Sequence, residues 1–76
     1  MKSYNIFLKS IVDVKNFVNI VNEYDFDIEL ESGRYIVDAK SIMGIFSLDL
    51  SKPIKMRIYT DDVSEIEPRI TCFEKN

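Results

Sequence analysis

Tyr4, Ile6 and Leu8 alternate with Asn5, Phe7 and Lys9, a period of two that predicts a first strand ending near Lys9 with one face on the core. From Val14 the period lengthens. Val14, Phe17, Val18, Val21 and Tyr24 follow the three-and-four repeat of an amphipathic helix, with Lys15, Asn16, Asn19, Asn22 and Glu23 mostly on the other side and Asp13 as the expected N-cap. Phe26, Ile28 and Leu30 then alternate with Asp27, Glu29 and Glu31, a second strand with an acidic outer face. Ser32 and Gly33 read as a tight hairpin turn, and Tyr35, Ile36 and Val37 have the β-branched and aromatic character of the returning strand.

A strand ending near Ala39 leads into Lys40-Ser41-Ile42-Met43-Gly44-Ile45-Phe46-Ser47-Leu48. Ser41 is placed to cap a second helix, because its hydroxyl can accept an N–H of the first turn. The spacing assigns Ile45 and Leu48 to the core and leaves Met43 exposed, with the helix expected to end around Ser51 ahead of Pro53. Ile54, Met56 and Ile58 alternate with Lys55, Arg57 and Tyr59 as a fourth strand. Val63, Ile66, Ile70 and Phe73 have helical spacing, but Pro68 interrupts it, so one helical turn over residues 62–67 and an irregular or extended tail are expected. Strand, helix, strand, strand, helix, strand is the order of an α+β fold with both helices on one face of a four-stranded antiparallel sheet.

Seventy-six residues make a single domain, residues 1–76, and 46% hydrophobic content with two glycines and two prolines is that of a globular chain. The net charge of -3 works against a phosphate backbone, so no nucleic acid is expected as partner. The N-terminus lacks a signal-like apolar core and no apolar run would span a bilayer, so a cytoplasmic protein without membrane insertion is expected. Cys72 is alone and the chain has no histidine to activate it; it is given no chemistry. No metal-ligand spacing, nucleotide loop or catalytic triad emerges, so neither enzyme activity, metal nor cofactor is expected. Asp25, Asp27, Glu29 and Glu31 read as a solvated face rather than a cation site.

The run Ala39-Lys40-Ser41-Ile42-Met43-Gly44 closely resembles the segment around the regulatory serine of HPr, the histidine-containing phosphocarrier protein of the sugar phosphotransferase system. The resemblance extends from the first strand through Thr60 and implies that family's open-faced β-sandwich, with sheet order 1-4-2-3. It also implies a third helix, truncated here to the residues after Thr60, which would leave apolar sheet surface less covered and open to a homodimer. The family's active loop resembles Gly-Leu-His-Ala-Arg-Pro. Setting Leu8, Lys9 and Ser10 on the family's strand end puts Ile11, Val12, Asp13, Val14, Lys15 and Asn16 on those six positions. Asp13 then stands at the phosphohistidine position, Lys15 keeps the arginine's charge without its fork, and Asn16 loses the proline of the first helical turn.

An imidazole passes on a phosphoryl group from its ring nitrogen, which no side chain of this sequence can do. The resemblance therefore implies a regulatory or protein-binding module of the sugar phosphotransferase system, with Ser41 as regulatory phosphosite and Asp13, Lys15, Ile42, Met43 and Phe46 as partner-binding residues. The partners implied are proteins of that system or a transcriptional regulator, with an HPr kinase acting on Ser41. Two alternatives stay open: a divergent phosphocarrier using Asp13, and a retained fold serving as an unrelated interaction scaffold.

Overall fold

The alternation of Ile54, Met56 and Ile58 with charged neighbours places one strand at the centre of the molecule in a computed structural model, which describes residues 2–74. The elements are β1 (Lys2–Ile6), α1 (Ile11–Val21), β2 (Ile28–Ser32), β3 (Tyr35–Asp38), α2 (Ile42–Phe46), β4 (Ile54–Ile58) and α3 (Glu67–Ile70), which runs on into a 3₁₀ turn at Thr71–Phe73. The sheet is antiparallel in the order β1-β4-β2-β3, so the two central strands are those with the strictest alternation. One face carries the core. Ile6, Ile28, Leu30, Ile54, Met56 and Ile58 from the sheet meet Val14, Phe17 and Val21 of α1 and Ile45 of α2, all buried. The opposite face is polar, and there Arg57 bonds Glu31 and lies 3.9 Å from Glu29, whose carboxylate also accepts the Tyr59 hydroxyl at 2.7 Å.

The hairpin turn is Gly33-Arg34, one residue later than the expected Ser32-Gly33, and Ser32 pairs with Tyr35. Gly33 has φ +61, the conformation a two-residue hairpin requires at its first central position and one that a side chain resists. The second helix ends at Phe46, well short of Ser51. Its last turn tightens, as the Leu48 N–H donates to the Ile45 carbonyl and the Ser47 hydroxyl donates to the Gly44 carbonyl. Leu48 is buried nonetheless, from an irregular backbone.

The C-terminal part corrects the expectation most. Pro68 sits in the first turn of α3, where its missing N–H and fixed φ are harmless, so the helix starts around the proline instead of ending before it. Val63, Ile66, Ile70 and Phe73 are buried, and the Phe73 ring meets Phe17 edge-on at 5.6 Å. The short third helix thus covers the sheet surface that was expected to lie open. Its end joins the sheet, with Glu74 bridging Ile6 and the Phe7 N–H donating to the Phe73 carbonyl. The last two positions of the expected tail, Lys75 and Asn76, lie outside the described residues.

Candidate functional site

Ser41 caps α2 as its position requires. Its backbone is extended, its hydroxyl accepts the Gly44 N–H at 3.1 Å and its carbonyl accepts the Ile45 N–H. Gly44 leaves room at that spot, since a Cβ there would sit 3.3 Å from both the Ser41 hydroxyl and the Val37 Cβ and crowd the cap. The serine itself is exposed. Around it Met43 is 77% and Phe46 43% exposed, Ile42 is half-buried, and Ile45 and Leu48 lie inside, the division that the spacing predicted.

At the head of α1 the N-cap is Ser10, not Asp13. The Ser10 hydroxyl accepts the Asp13 N–H at 3.1 Å, and the Asp13 carboxylate reaches back to accept the Lys9 N–H at 3.1 Å. This is a close variant of a capping box, with aspartate as the third helical residue, in which the return bond goes to the N–H of Lys9, one residue before the cap, instead of to that of Ser10. The spacing Ser10-Ile11-Val12-Asp13 carried that signal. It was obscured because Ile11 and Val12 are apolar residues exposed at 63% and 64%, outside the buried stripe.

Positions 11–16, expected to hold the family's active loop, are all helical. A proline at position 16 would remove the bond to the Val12 carbonyl and press its ring against it, whereas the N–H groups of positions 11–13 have no helical carbonyl to bond, that of Asp13 going to the Ser10 hydroxyl. The junction between strand and helix is therefore Lys9-Ser10, three residues earlier than the resemblance had placed the histidine.

Lys40 ties the start of α2 to the end of α1. Its ammonium donates to the Tyr24 carbonyl at 2.6 Å, and the Asn22 side chain donates to the Lys40 carbonyl at 3.4 Å. Ile11, Lys15, Val18 and Asn22 share the helix stripe that faces this way, three and four residues apart. Asp13 lies on another stripe. With Asn16, Ile20 and Glu23 it lines a groove toward Arg69, Cys72 and Phe73. Asp13 is also about 13 Å along the helix axis from Asn22, so the structure does not bring Asp13 and Ser41 together. Lys15 falls on the α2 side; of the expected partner residues, Asp13 alone is turned toward the C-terminal helix.

Charge on that second side is matched. Arg69 donates to both oxygens of Glu23 at 2.9 and 2.8 Å and to the Tyr24 hydroxyl at 3.1 Å, which holds the Glu23 carboxyl below its usual range. At the first residue of α3, burial together with a hydrogen bond to Glu67 pushes the Tyr4 phenol up to about 12. No group of three or more metal-ligating side chains is present among the described residues.

Against known proteins, the family model described as "PTS HPr component phosphorylation site" matches residues 13–68, more than half of the chain. The chain belongs to the HPr family. Two solved structures agree with this. HPr-C-His from Thermoanaerobacter tengcongensis is 32% identical over 82% of this chain and 78% of that one, with a TM-score of 0.71. The phosphocarrier protein HPr from Bacillus anthracis str. Ames is 27% identical over 97% of this chain and 94% of that one, also with a TM-score of 0.71. The sheet order with three helices is that of the HPr fold, the third helix being short in this chain, and the chain is a phosphocarrier-like protein of the phosphotransferase-system type. The family match starts at Asp13, so β1 and the Lys9-Ser10 junction lie outside it. None of the described helices is long and apolar enough to cross a membrane.

Proposed function

We propose that this HPr relative is a non-enzymatic regulatory or protein-binding module of the sugar phosphotransferase system that has given up histidine phosphotransfer. The observation that carries the reading is a pair: the chain contains no histidine, yet Ser41 stands exposed at the head of α2 in the run shared with the family's regulatory serine. A helix that begins at Ile11 favours Ser10 over Asp13 as the counterpart of the family's histidine. Ser10 offers a hydroxyl already accepting a backbone N–H, and Asp13 offers a carboxylate engaged in the same cap; neither is a basic ring nitrogen. An acyl phosphate on Asp13 would turn the carboxylate that accepts the Lys9 N–H into a weaker carbonyl acceptor, which weighs against a divergent phosphocarrier.

The contact surface of this reading is α2 with the adjoining stripe of α1, namely Ile42, Met43 and Phe46 beside Lys15 and Ile11. Met43 suits such a surface because its unbranched thioether adapts to differently shaped partners. Phosphate on Ser41 would add negative charge next to these apolar side chains and replace a capping hydroxyl, altering docking without altering the fold. Proteins of the phosphotransferase system or a transcriptional regulator are the partners this surface suits, and an HPr kinase is the modifying enzyme.

Incubation with an HPr kinase and ATP tests the regulatory part. The expected result is the gain of one phosphoryl group on Ser41, lost in Ser41→Ala. An unmodified chain beside an ordinary HPr phosphorylated in the same reaction would overturn it.

A further inference from the structure

The two outer edges of the sheet are treated differently. At β1 the chain end closes one part of the edge, through the bridge between Ile6 and Glu74 and the bond from Phe7 to Phe73. At β3 no described strand lies beyond Tyr35–Asp38, and the ladder to β2 runs without a bulge. Exposed edges in soluble proteins are usually blunted by central charges, proline or a bulge. Here the middle of the edge is Tyr35, Ile36 and Val37, with Tyr35 69% and Ile36 56% exposed.

The hydrogen-bond parity shows which groups the edge offers. The Ala39 N–H donates to the Ile28 carbonyl, which makes Ile28 and Ala39 a bonded pair; two residues on, Leu30 with Val37 and Ser32 with Tyr35 are the next. On the other side of β2, the Tyr59 N–H donates to the Asp27 carbonyl, so the odd-numbered residues of β2 face β4 and the even-numbered face β3, as that parity demands. Ile36 therefore turns its N–H and its carbonyl outward, between Tyr35 and Val37, which turn theirs inward.

The sequence of the edge is complementary to itself. Set antiparallel against a second copy about Ile36, the strand puts Ile36 opposite Ile36, Tyr35 opposite Val37 and Arg34 opposite Asp38, at both ends of the pair. Arg34 makes no ion pair among the described residues, and Asp38 uses one carboxylate oxygen for the Lys40 N–H and keeps the other. A parallel pairing would set arginine near arginine and aspartate near aspartate.

We infer that β3 is the contact edge of a two-fold dimer, in which two copies join antiparallel about Ile36 into one continuous eight-stranded sheet. The Ile36 N–H of each copy donates to the Ile36 carbonyl of the other, and the aromatic and aliphatic side chains of Tyr35 and Val37 pack across the join. The interface is isologous, so it closes at two copies and leaves both β1 edges outermost.

Sedimentation of the full chain up to about 1 mM, a range that populates even weak pairing, tests this. The expected result is a concentration-dependent doubling of mass, abolished by Ile36→Lys, by Arg34→Asp and by Asp38→Arg, each of which sets like charges face to face. Mixing the Arg34→Asp chain with the Asp38→Arg chain restores the doubled mass, because opposite charges then meet at both ends; misfolded variants would not recover in this way. Exchange of the Ile36 amide slows with concentration in the native protein. A chain that stays monomeric throughout, a dimer indifferent to these substitutions, or a mixture that remains monomeric would overturn the assignment.

Discussion

Ser10 and Asp13 hold the start of α1 together. The serine hydroxyl accepts the Asp13 N–H at 3.1 Å and the aspartate accepts the Lys9 N–H at 3.1 Å. Removing the serine hydroxyl strands a helix donor, so Ser10→Ala is expected to cost about 1 kcal/mol of unfolding free energy. Ser10→Asp, which can accept the same N–H, is expected to recover most of it. Chemical denaturation of the variants measures both, and equal losses in the two would show that the cap does not act.

Ser41 carries a cap and the proposed modification on one oxygen. Ser41→Ala is expected to destabilise by about 1 kcal/mol, whereas Ser41→Asp retains an acceptor for the Gly44 N–H and stays near the native stability. Partner binding should separate from stability: the alanine variant keeps its affinity where the aspartate variant, with its added charge beside Met43 and Phe46, loses it. Denaturation curves and calorimetric titration with the same preparations check this pair of outcomes.

Phe73 anchors the C-terminal segment to Phe17 of α1. Phe73→Ala should cost about 3–5 kcal/mol and uncover the apolar surface that α3 hides. An environment-sensitive dye should bind weakly to the native chain and strongly to the variant; equal binding would mean that the segment does not cover the sheet.

The Arg69 and Glu23 pair makes a pH prediction. Glu23 is held below its usual range chiefly by the hydrogen bonds from Arg69, so its share of stability is present above the ordinary carboxylate range and is lost as the pH falls through the lowered folded value. Arg69→Gln should return Glu23 to ordinary titration and move the acid-unfolding midpoint to higher pH. Tyr4 works in the opposite sense: with its pKa pushed up to about 12, it stabilises the fold fully below the ordinary tyrosine value and loses that contribution as the pH rises toward the folded one. Tyr59 is also raised, by its hydrogen bond to Glu29, so absorbance titration of the native chain should show late tyrosine ionisation from which the component near 12 is lost in Tyr4→Phe.

Much of this architecture was legible because the central strands alternate strictly. Ile54, Met56 and Ile58 can all be buried only if that segment is a strand with one face inward. Ser41 was legible for a similar reason, as one polar residue between a strand and an apolar helical stripe. Three features were obscured by local signals that point two ways. Leu48 and Leu50 continue the apolar spacing of α2, yet the backbone leaves the helix at Ser47 and buries Leu48 from an irregular segment. Pro68 is a breaker inside a helix but a starter in its first turn, and only tertiary packing of Ile66 and Ile70 decides which. Asp13 suits an N-cap and a third helical residue equally, and the exposed Ile11 and Val12 hide the earlier start. The separation of Asp13 from Ser41 depends on which sides of α1 the other two helices occupy, and no periodicity within α1 contains that information.

The central claim is an HPr fold without its phosphorelay, and the most direct measurement is the mass of the chain after incubation with the system's first enzyme and phosphoenolpyruvate, beside an ordinary HPr. The account predicts that the ordinary protein gains a phosphoryl group and this chain remains unmodified. A hydroxylamine-labile phosphoryl group on Asp13, or one on Ser10, would contradict it.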